Sequence, residues 1–140
     1  MGNRELARLT RRPTGPGVSF DTPVGTVHAF AAALNIGDLE AAIACFASDS
    51  CLVTPDATGV SGRGAIRGVL AQLIARTTKI AIESSSALFA GDVVFVNQQW
   101  RIRLGPSVET TYVQIVNPIL VLRYEESAWK LAIAAPWSRR

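Results

Sequence analysis

Histidine and cysteine are nearly absent from this 140-residue chain: His28, Cys45 and Cys51 are all it has. Two cysteines cannot build a disulfide framework, and no Cys/His spacing suits a metal ion. The residues predict free thiols, no metal and no cofactor. A thiol nucleophile would need a base beside it, and His28 is the single histidine available. Long apolar runs are missing too. None approaches the roughly 20 residues that a membrane-spanning helix requires. Residues 1–17 are rich in arginine but have no apolar stretch of the kind a secretion signal carries. These features predict a soluble, cytoplasmic protein. A nucleotide-binding loop is also absent. Gly59-Val60-Ser61-Gly62-Arg63-Gly64 lacks the Lys-Ser/Thr ending of a phosphate cradle and misses the dinucleotide spacing.

The formal charge of +3 resides in the tails. Arg4, Arg8, Arg11 and Arg12 against Glu5 make the first twenty residues basic, and Arg139 and Arg140 close the chain. Residues 21–138 carry 8 basic and 10 acidic side chains, so the body is slightly acidic. Nucleic-acid binders set a basic stripe on the folded domain. None is expected here, and the tails read as solvated chain.

Apolar residues make up 49% of the sequence and charged residues 18%, which suits one globular domain with a real core. Residues 1–21, ending in the breakers Pro13, Gly15, Pro16 and Gly17, read as an irregular Arg-rich leader. Residues 22–138 read as a single domain. Asp21 or Thr22 caps a first helix with Pro23 at its first position, running to Asn35 and stopped by Gly37. Asp38 caps a second helix, Leu39 to Ala47. After a short strand, Ser50 to Thr54, and a loop over 56–64, a third helix runs from Ala65 to about Arg76, with Ile66, Val69, Leu70, Leu73 and Ile74 on one face. The remainder alternates as strands: Lys79 to Phe89, Val93 to Leu104, Val108 to Tyr124, and Ala128 to Ala135. Pro118 inside the longest strand predicts a bulge or an edge. The fold class is α+β, with three N-terminal helices packed on a strongly curved, mostly antiparallel sheet.

Several stretches resemble the nuclear transport factor 2-like superfamily. Phe30-Ala31-Ala32-Ala33-Leu34-Asn35-Ile36-Gly37-Asp38-Leu39-Glu40 is similar to its opening helix–turn–helix. Phe46-Ala47-Ser48-Asp49-Ser50, Gly62-Arg63-Gly64-Ala65-Ile66-Arg67, Gly91-Asp92-Val93-Val94 and Trp129-Lys130-Leu131 resemble its later landmarks. The likeness spans residues 22–137 and is nearest to the bacterial polyketide-cyclase-like (SnoaL-like) and ketosteroid-isomerase-like members. It implies a cone-shaped roll with an internal cavity. The isomerase branch uses a tyrosine, a general-base aspartate and a protonated aspartate, and these positions fall on Phe30, Thr54 and Leu120. Phe30 and Leu120 cannot donate a hydrogen bond, and a threonine hydroxyl is a poor base near neutral pH. The resemblance therefore carries the fold without that mechanism.

If even-numbered positions face the cavity, Tyr112, Gln114, Leu120, Leu122 and Tyr124 line it from the long strand, and Gln98 and Trp100 from its neighbour. Phe30 and Trp137 close the mouth. Such a lining suits a hydrophobic, cyclic or polyketide-like small molecule. Asp56 is the candidate acid or base, with its pKa raised if it sits in an apolar pocket, and Tyr112 is its candidate partner. The bland alternative for Asp56 is a turn aspartate bonded to its own backbone. The odd positions Ile115, Ile119 and Val121 form an apolar outer face that needs cover. Because such cones commonly pair through their sheets, a homodimer is expected. Two functions remain open. One is a cofactor-independent enzyme for cyclisation, dehydration or isomerisation by proton transfer. The other is a non-catalytic hydrophobic-ligand-binding or association module. The charge inventory of the cavity separates them.

Overall fold

A computed structural model describes residues 20–54, 56–76, 78–105 and 112–137; the side chains of Leu104 and Tyr112 stand outside that description. The elements run α1 (Pro23–Ile36), α2 (Leu39–Ile43), β1 (Phe46–Val53), β2 (Gly59–Ser61), α3 (Arg63–Ala75), β3 (Lys79–Ala90), β4 (Val93–Leu104), β5 (Tyr112–Val116), β6 (Ile119–Glu125) and β7 (Ala128–Ala135). The expected leader falls outside the described residues except for its last two. Of these, Phe20 accepts a hydrogen bond from the Trp129 amide at 3.0 Å, tying the entry of α1 to β7.

Helix α1 begins and ends as its sequence predicts. The Thr22 hydroxyl accepts from the Gly25 amide at 2.9 Å, with Pro23 in the first turn. At the far end Gly37 adopts φ +76°, the left-handed conformation that glycine enters without a Cβ penalty. The Gly37 amide bonds the Leu34 carbonyl and the Asp38 amide bonds the Ala33 carbonyl, closing the helix. Asp38 then caps α2 through the Ala41 amide at 3.1 Å. Helix α2 stops at Ile43, whereas the sequence predicts a helix to Ala47. Sheet formation takes over the carbonyls that a longer helix would use: the Leu131 amide bonds the Cys45 carbonyl, and the Lys130 ammonium bonds that of Ala44. Phe46, expected inside that helix, stays buried as the first residue of β1.

The sheet runs β2-β1-β7-β6-β4-β3, with β5 also paired to β4. All pairings are antiparallel except β1 with β7. The expected α+β class, with helices on a curved and mostly antiparallel sheet, is the one found. Strands β5 and β6 occupy the part of the long strand foreseen over 108–124 that is described, interrupted at Asn117 and Pro118, while residues 108–111 lie outside the described residues. Its pairing with β4 keeps one register on both sides of the gap, since Trp100 faces Val116 and Asn97 faces Ile119. Pro118 therefore removes an amide donor without inserting a residue, and the bulge expected there lies elsewhere. Register shifts fall between Phe46 and Cys51 in β1, at Glu83 in β3 and at Ala132 in β7. Such extra residues bend a strand and increase its twist. Residues 59–61, expected as loop, form the short edge strand β2.

The period-two reading holds along β4 and from Val116 to Leu122, and ends before Tyr124, which is exposed. Val94, Val96, Trp100 and Ile102 of β4 are fully buried, as are Val116, Leu120 and Leu122 opposite them. Helices α1 and α3 cover this face with Val27, Phe30, Leu34, Ile66 and Leu70. The rings of Phe30 and Phe46 meet edge to face, with centroids 5.5 Å apart. Two polar anchors seat the helices. Arg63 at the start of α3 donates twice to the Phe46 carbonyl, at 3.1 and 2.7 Å. Asn35 acts as one residue of an extra strand: its Nδ2 donates to the Ile80 carbonyl at 2.9 Å, and its Oδ1 accepts the Ile80 amide at 2.7 Å. This clamp joins the end of α1 to the start of β3. Asn35→Ala removes both bonds and leaves the Ile80 backbone groups without their side-chain partner. The expected loss is about 1–3 kcal/mol, read as a shift in the urea unfolding midpoint at unchanged slope.

Candidate functional site

A recess lies between the helices and the sheet at the end where α1 finishes and β3 begins. Phe30 and Leu34 of α1, Leu70 and Leu73 of α3, and Leu52 of β1 form one side. Thr78, Ile80, Trp100, Ile102, Pro136 and Trp137 form the other. The recess holds about 270 Å³ of empty space counted out to solvent, but only about 10 Å³ of it is wide enough for the centre of a water. That is room for roughly one water molecule. Every lining side chain is neutral. Thr78 and Trp137 are the lining residues whose side-chain polar atoms are buried without a hydrogen-bond partner among the described residues.

The Trp100 indole spans the floor of this recess. Its Nε1 donates to Gln98 Oε1 at 2.6 Å, and Gln98 Nε2 donates in turn to Ser85 Oγ at 2.8 Å. The glutamine amide, 2% exposed, is thus committed to the structure. It fixes the indole and lets a Trp sit at a fully buried site with its donor satisfied.

The structure brings Phe30, Trp100 and Trp137 together in the cavity wall. Leu120 and Leu122 share the inward face but are sealed in the core behind it. Gln98 is held as described. Gln114 is half-buried on β5, opposite Ile102. Tyr124 is 45% exposed and packs with Trp129, whose other aromatic neighbour is Phe89. It therefore belongs to a surface aromatic group, not to the cavity. The Tyr112 backbone pairs with Leu104, and its side chain lies outside the described residues.

Asp56 departs from expectation. It is exposed in the β1–β2 turn and not enclosed by the cavity. Its carboxylate accepts from the Thr54 hydroxyl and from the Thr58 amide. These donors hold its pKa below the usual aspartate range, where an apolar pocket would have raised it. Thr54 is occupied by the same turn. The two residues therefore build a turn, the arrangement that Asp favours after a strand-ending proline. His28 is exposed on α1. Cys45 is buried, and desolvation pushes its thiol up to about 12 against the opposing pull of Lys130, so it carries no thiolate near neutral pH. Among the described residues no cluster of His, Cys, Asp and Glu could hold a metal ion, and no helix is long and apolar enough to cross a membrane.

Leu34, Leu52, Leu70, Leu73, Ile80 and Pro136 enter the lining without having been singled out as site residues. Their helical or alternating spacing marks them as buried, but it does not separate cavity wall from core. Thr78 had no sequence signal at all. It is placed by the turn out of α3, where its amide bonds the Leu73 carbonyl at 3.2 Å.

Residues 27–123 match the sequence profile of the SnoaL-like domain, and the chain belongs to that family. Solved structures share the fold. One is a nuclear transport factor 2-like protein from Streptomyces avermitilis proposed to be a dehydratase, 24% identical, with a TM-score of 0.70 over 81% of this chain and 91% of that one. Another, from Novosphingobium aromaticivorans and proposed to be a scytalone dehydratase, is 13% identical, with a TM-score of 0.72 over 96% and 86%. A third, from Thiobacillus denitrificans and proposed to be a calcium/calmodulin-dependent protein kinase type II association domain, is 22% identical, with a TM-score of 0.69 over 84% and 97%. At these identities the likeness establishes the fold alone. No curated protein matches the sequence.

The Asp56 turn makes a testable statement about charge. A depressed carboxyl pKa stabilises the folded chain above the unfolded value and loses that effect as pH falls through the folded one. By NMR titration, Asp56 is expected to have a midpoint below the ordinary value of about 3.9. In Thr54→Val, which removes the largest contributor, the midpoint should rise towards that value.

Proposed function

We propose that this chain binds a small, neutral, largely apolar ring compound in the cavity between α1, α3 and the sheet, and that it does so without acid–base turnover. The observation that carries this reading is the cavity inventory. Each lining side chain is apolar or a neutral donor, and the carboxylate that would have moved a proton is in a solvent-exposed turn. Proton transfer needs a titratable group within hydrogen-bond reach of the substrate. Binding needs shape, apolar area and a few placed polar atoms. The narrow slot favours a flat molecule. Half-buried Trp137, near the end of the chain, is the wall element best placed to move aside for it.

The test is isothermal calorimetry with neutral bicyclic compounds and with their carboxylate analogues. The neutral compounds should bind and the carboxylates should not, since an unpaired charge would be buried without a partner. Leu52→Trp, which fills the slot, should abolish binding while the far-ultraviolet circular dichroism is retained. Equal binding to wild type and to this variant would place the ligand elsewhere.

A second reading, a cofactor-independent dehydratase, cyclase or isomerase, is favoured by the neighbours proposed to be dehydratases. Its proton carrier would be the phenol of Tyr112, on the strand that pairs with the cavity wall at Ile102. Turnover of a ring hydroxyketone that Tyr112→Phe abolishes would favour it over binding alone.

The family fold also suits association through the sheet, and we propose a homodimer on its outer face. Leu88, Val113, Ile115 and Ile133 are 43–68% exposed there and surround half-buried Phe95, Ile119 and Val121. An apolar patch of this kind marks an interaction surface. Sedimentation velocity at tens of micromolar should give a dimer, and Ile115→Glu with Ile133→Glu a folded monomer. A monomeric wild type would refute this.

A further inference from the structure

Three aromatic side chains continue the core face of the sheet past the helices that cover it. Phe89 pairs with Val94 across β3 and β4, and Tyr124 pairs with Trp129 across β6 and β7. Directly paired residues share a face, and so do positions two apart along a strand. Val94, Leu122 and Leu131 are core, so Phe89, Tyr124 and Trp129 lie on the same side as that core. The Trp129 ring meets both others, Phe89 edge to face with centroids 5.8 Å apart and Tyr124 tilted at 5.2 Å. Phe89 is nonetheless 60% exposed and Tyr124 45%. The group sits where β3 ends and β7 begins, the opposite end of the sheet from the recess.

The chain enters the domain at this point. The Trp129 amide donates to the Phe20 carbonyl at 3.0 Å, so residues 1–19 join the domain beside Trp129. Those residues lie outside the described part. Their sequence holds Arg4, Arg8, Arg11 and Arg12 against Glu5. Arg12 stands eight residues before Phe20, and eight residues span at most about 28 Å.

The rim of the aromatic group is acidic. Asp92, whose carbonyl accepts the Tyr124 amide at 2.8 Å, is exposed, as are Glu126 in the turn after Tyr124 and Asp21 beside Phe20. The cations at this end are already engaged. Arg123 pairs with Asp49 and Glu125. Lys130 donates to the Ala44 carbonyl, with its ammonium 4.5 Å from the centre of the Phe20 ring. A guanidinium stacks on an aromatic face and pairs with carboxylates at its edge. One exposed contact of this kind is weak. Joining both partners in one chain raises their effective concentration to the order of millimolar.

We propose that Phe89, Tyr124 and Trp129 are the docking surface for the chain's own Arg-rich leader, residues 1–19, whose arginines stack on the exposed rings and pair with the acidic rim. This surface is separate from the recess and lies on the opposite side of the sheet from its outer apolar face.

Trypsin cleavage after Arg8 and Arg11, followed by mass spectrometry on the full chain, reads the docked fraction, because a protease cuts the open population. Wild type should be cut about fivefold more slowly than Phe89→Ser with Tyr124→Ser, as for a leader docked about four-fifths of the time. Salt at about 0.5 M, which screens the rim, should remove most of that protection. A second variant leaves the domain itself unchanged. With Arg4→Gln, Arg8→Gln, Arg11→Gln and Arg12→Gln combined, the indole N–H resonance of Trp129 should move while that of buried Trp100 stays in place. Equal cleavage of wild type and the ring variant, or an unmoved Trp129 resonance, would overturn the proposal. Protection that grows with protein concentration would put the leader of a second copy on the rings, and would overturn docking within one chain.

Discussion

A fully buried tryptophan with its single donor satisfied holds the centre of this molecule. Trp100 projects from the inward face of β4, its ring 6.4 Å from that of Phe30 on α1, and Gln98, two residues earlier on the same face, accepts the hydrogen bond of its indole N–H. A buried Trp without such a partner would carry the cost of an unmet hydrogen bond. Gln98 is itself met by Ser85 across the β3–β4 pair. The helices close over this ring, and the recess lies between them and it. Strand order, helix seating and cavity shape all meet at this residue.

Much of this could be read from the residues. Alternation along 93–104 and 112–124 identified the inward face, because a strand reverses its side chains at each residue and only one face of this sheet is covered by helices. Thr22, Gly37 and Asp38 announced helix ends through local capping chemistry that does not depend on the rest of the fold. What escaped was set by competition at a distance. The end of α2 depends on β7 arriving from more than eighty residues away to claim the carbonyl of Cys45. The register shifts lie between Phe46 and Cys51, at Glu83 and at Ala132, where strand registers must be reconciled, while Pro118 keeps its register. Asp56 had two readings in the sequence, an acid or base in the cavity and a turn residue, and its environment is a turn closed by Thr54 and Thr58. The alternative weighed for it, a self-bonded turn residue, is the one present. Thr78 was invisible because an unmet hydroxyl can be found only once its surroundings are known.

These features separate the architecture of the family from any one chemistry. The chain belongs to the SnoaL-like family, and Phe30, Thr54 and Leu120, onto which the resemblance to the isomerase branch maps that branch's polar groups, hold other places in this fold. Phe30 supplies cavity wall, Leu120 supplies core, and Thr54 ties a turn. Catalytic groups at these places would have to be kept polar inside an apolar shell, a burden that native structures carry where function requires it. Here the same shell is spent on packing, and every side chain that lines the recess stays neutral across the physiological pH range.

The central claim is that the ligand meets a neutral cavity. Its most direct test is the pH dependence of binding of an uncharged ligand such as α-tetralone, between roughly pH 5 and pH 9, within the range where the chain stays folded. A neutral cavity predicts an affinity that stays flat across the interval, because no group in contact with the ligand changes charge there. A sigmoid or bell-shaped profile with a midpoint inside it would mean that a titrating side chain touches the ligand, and would contradict the account.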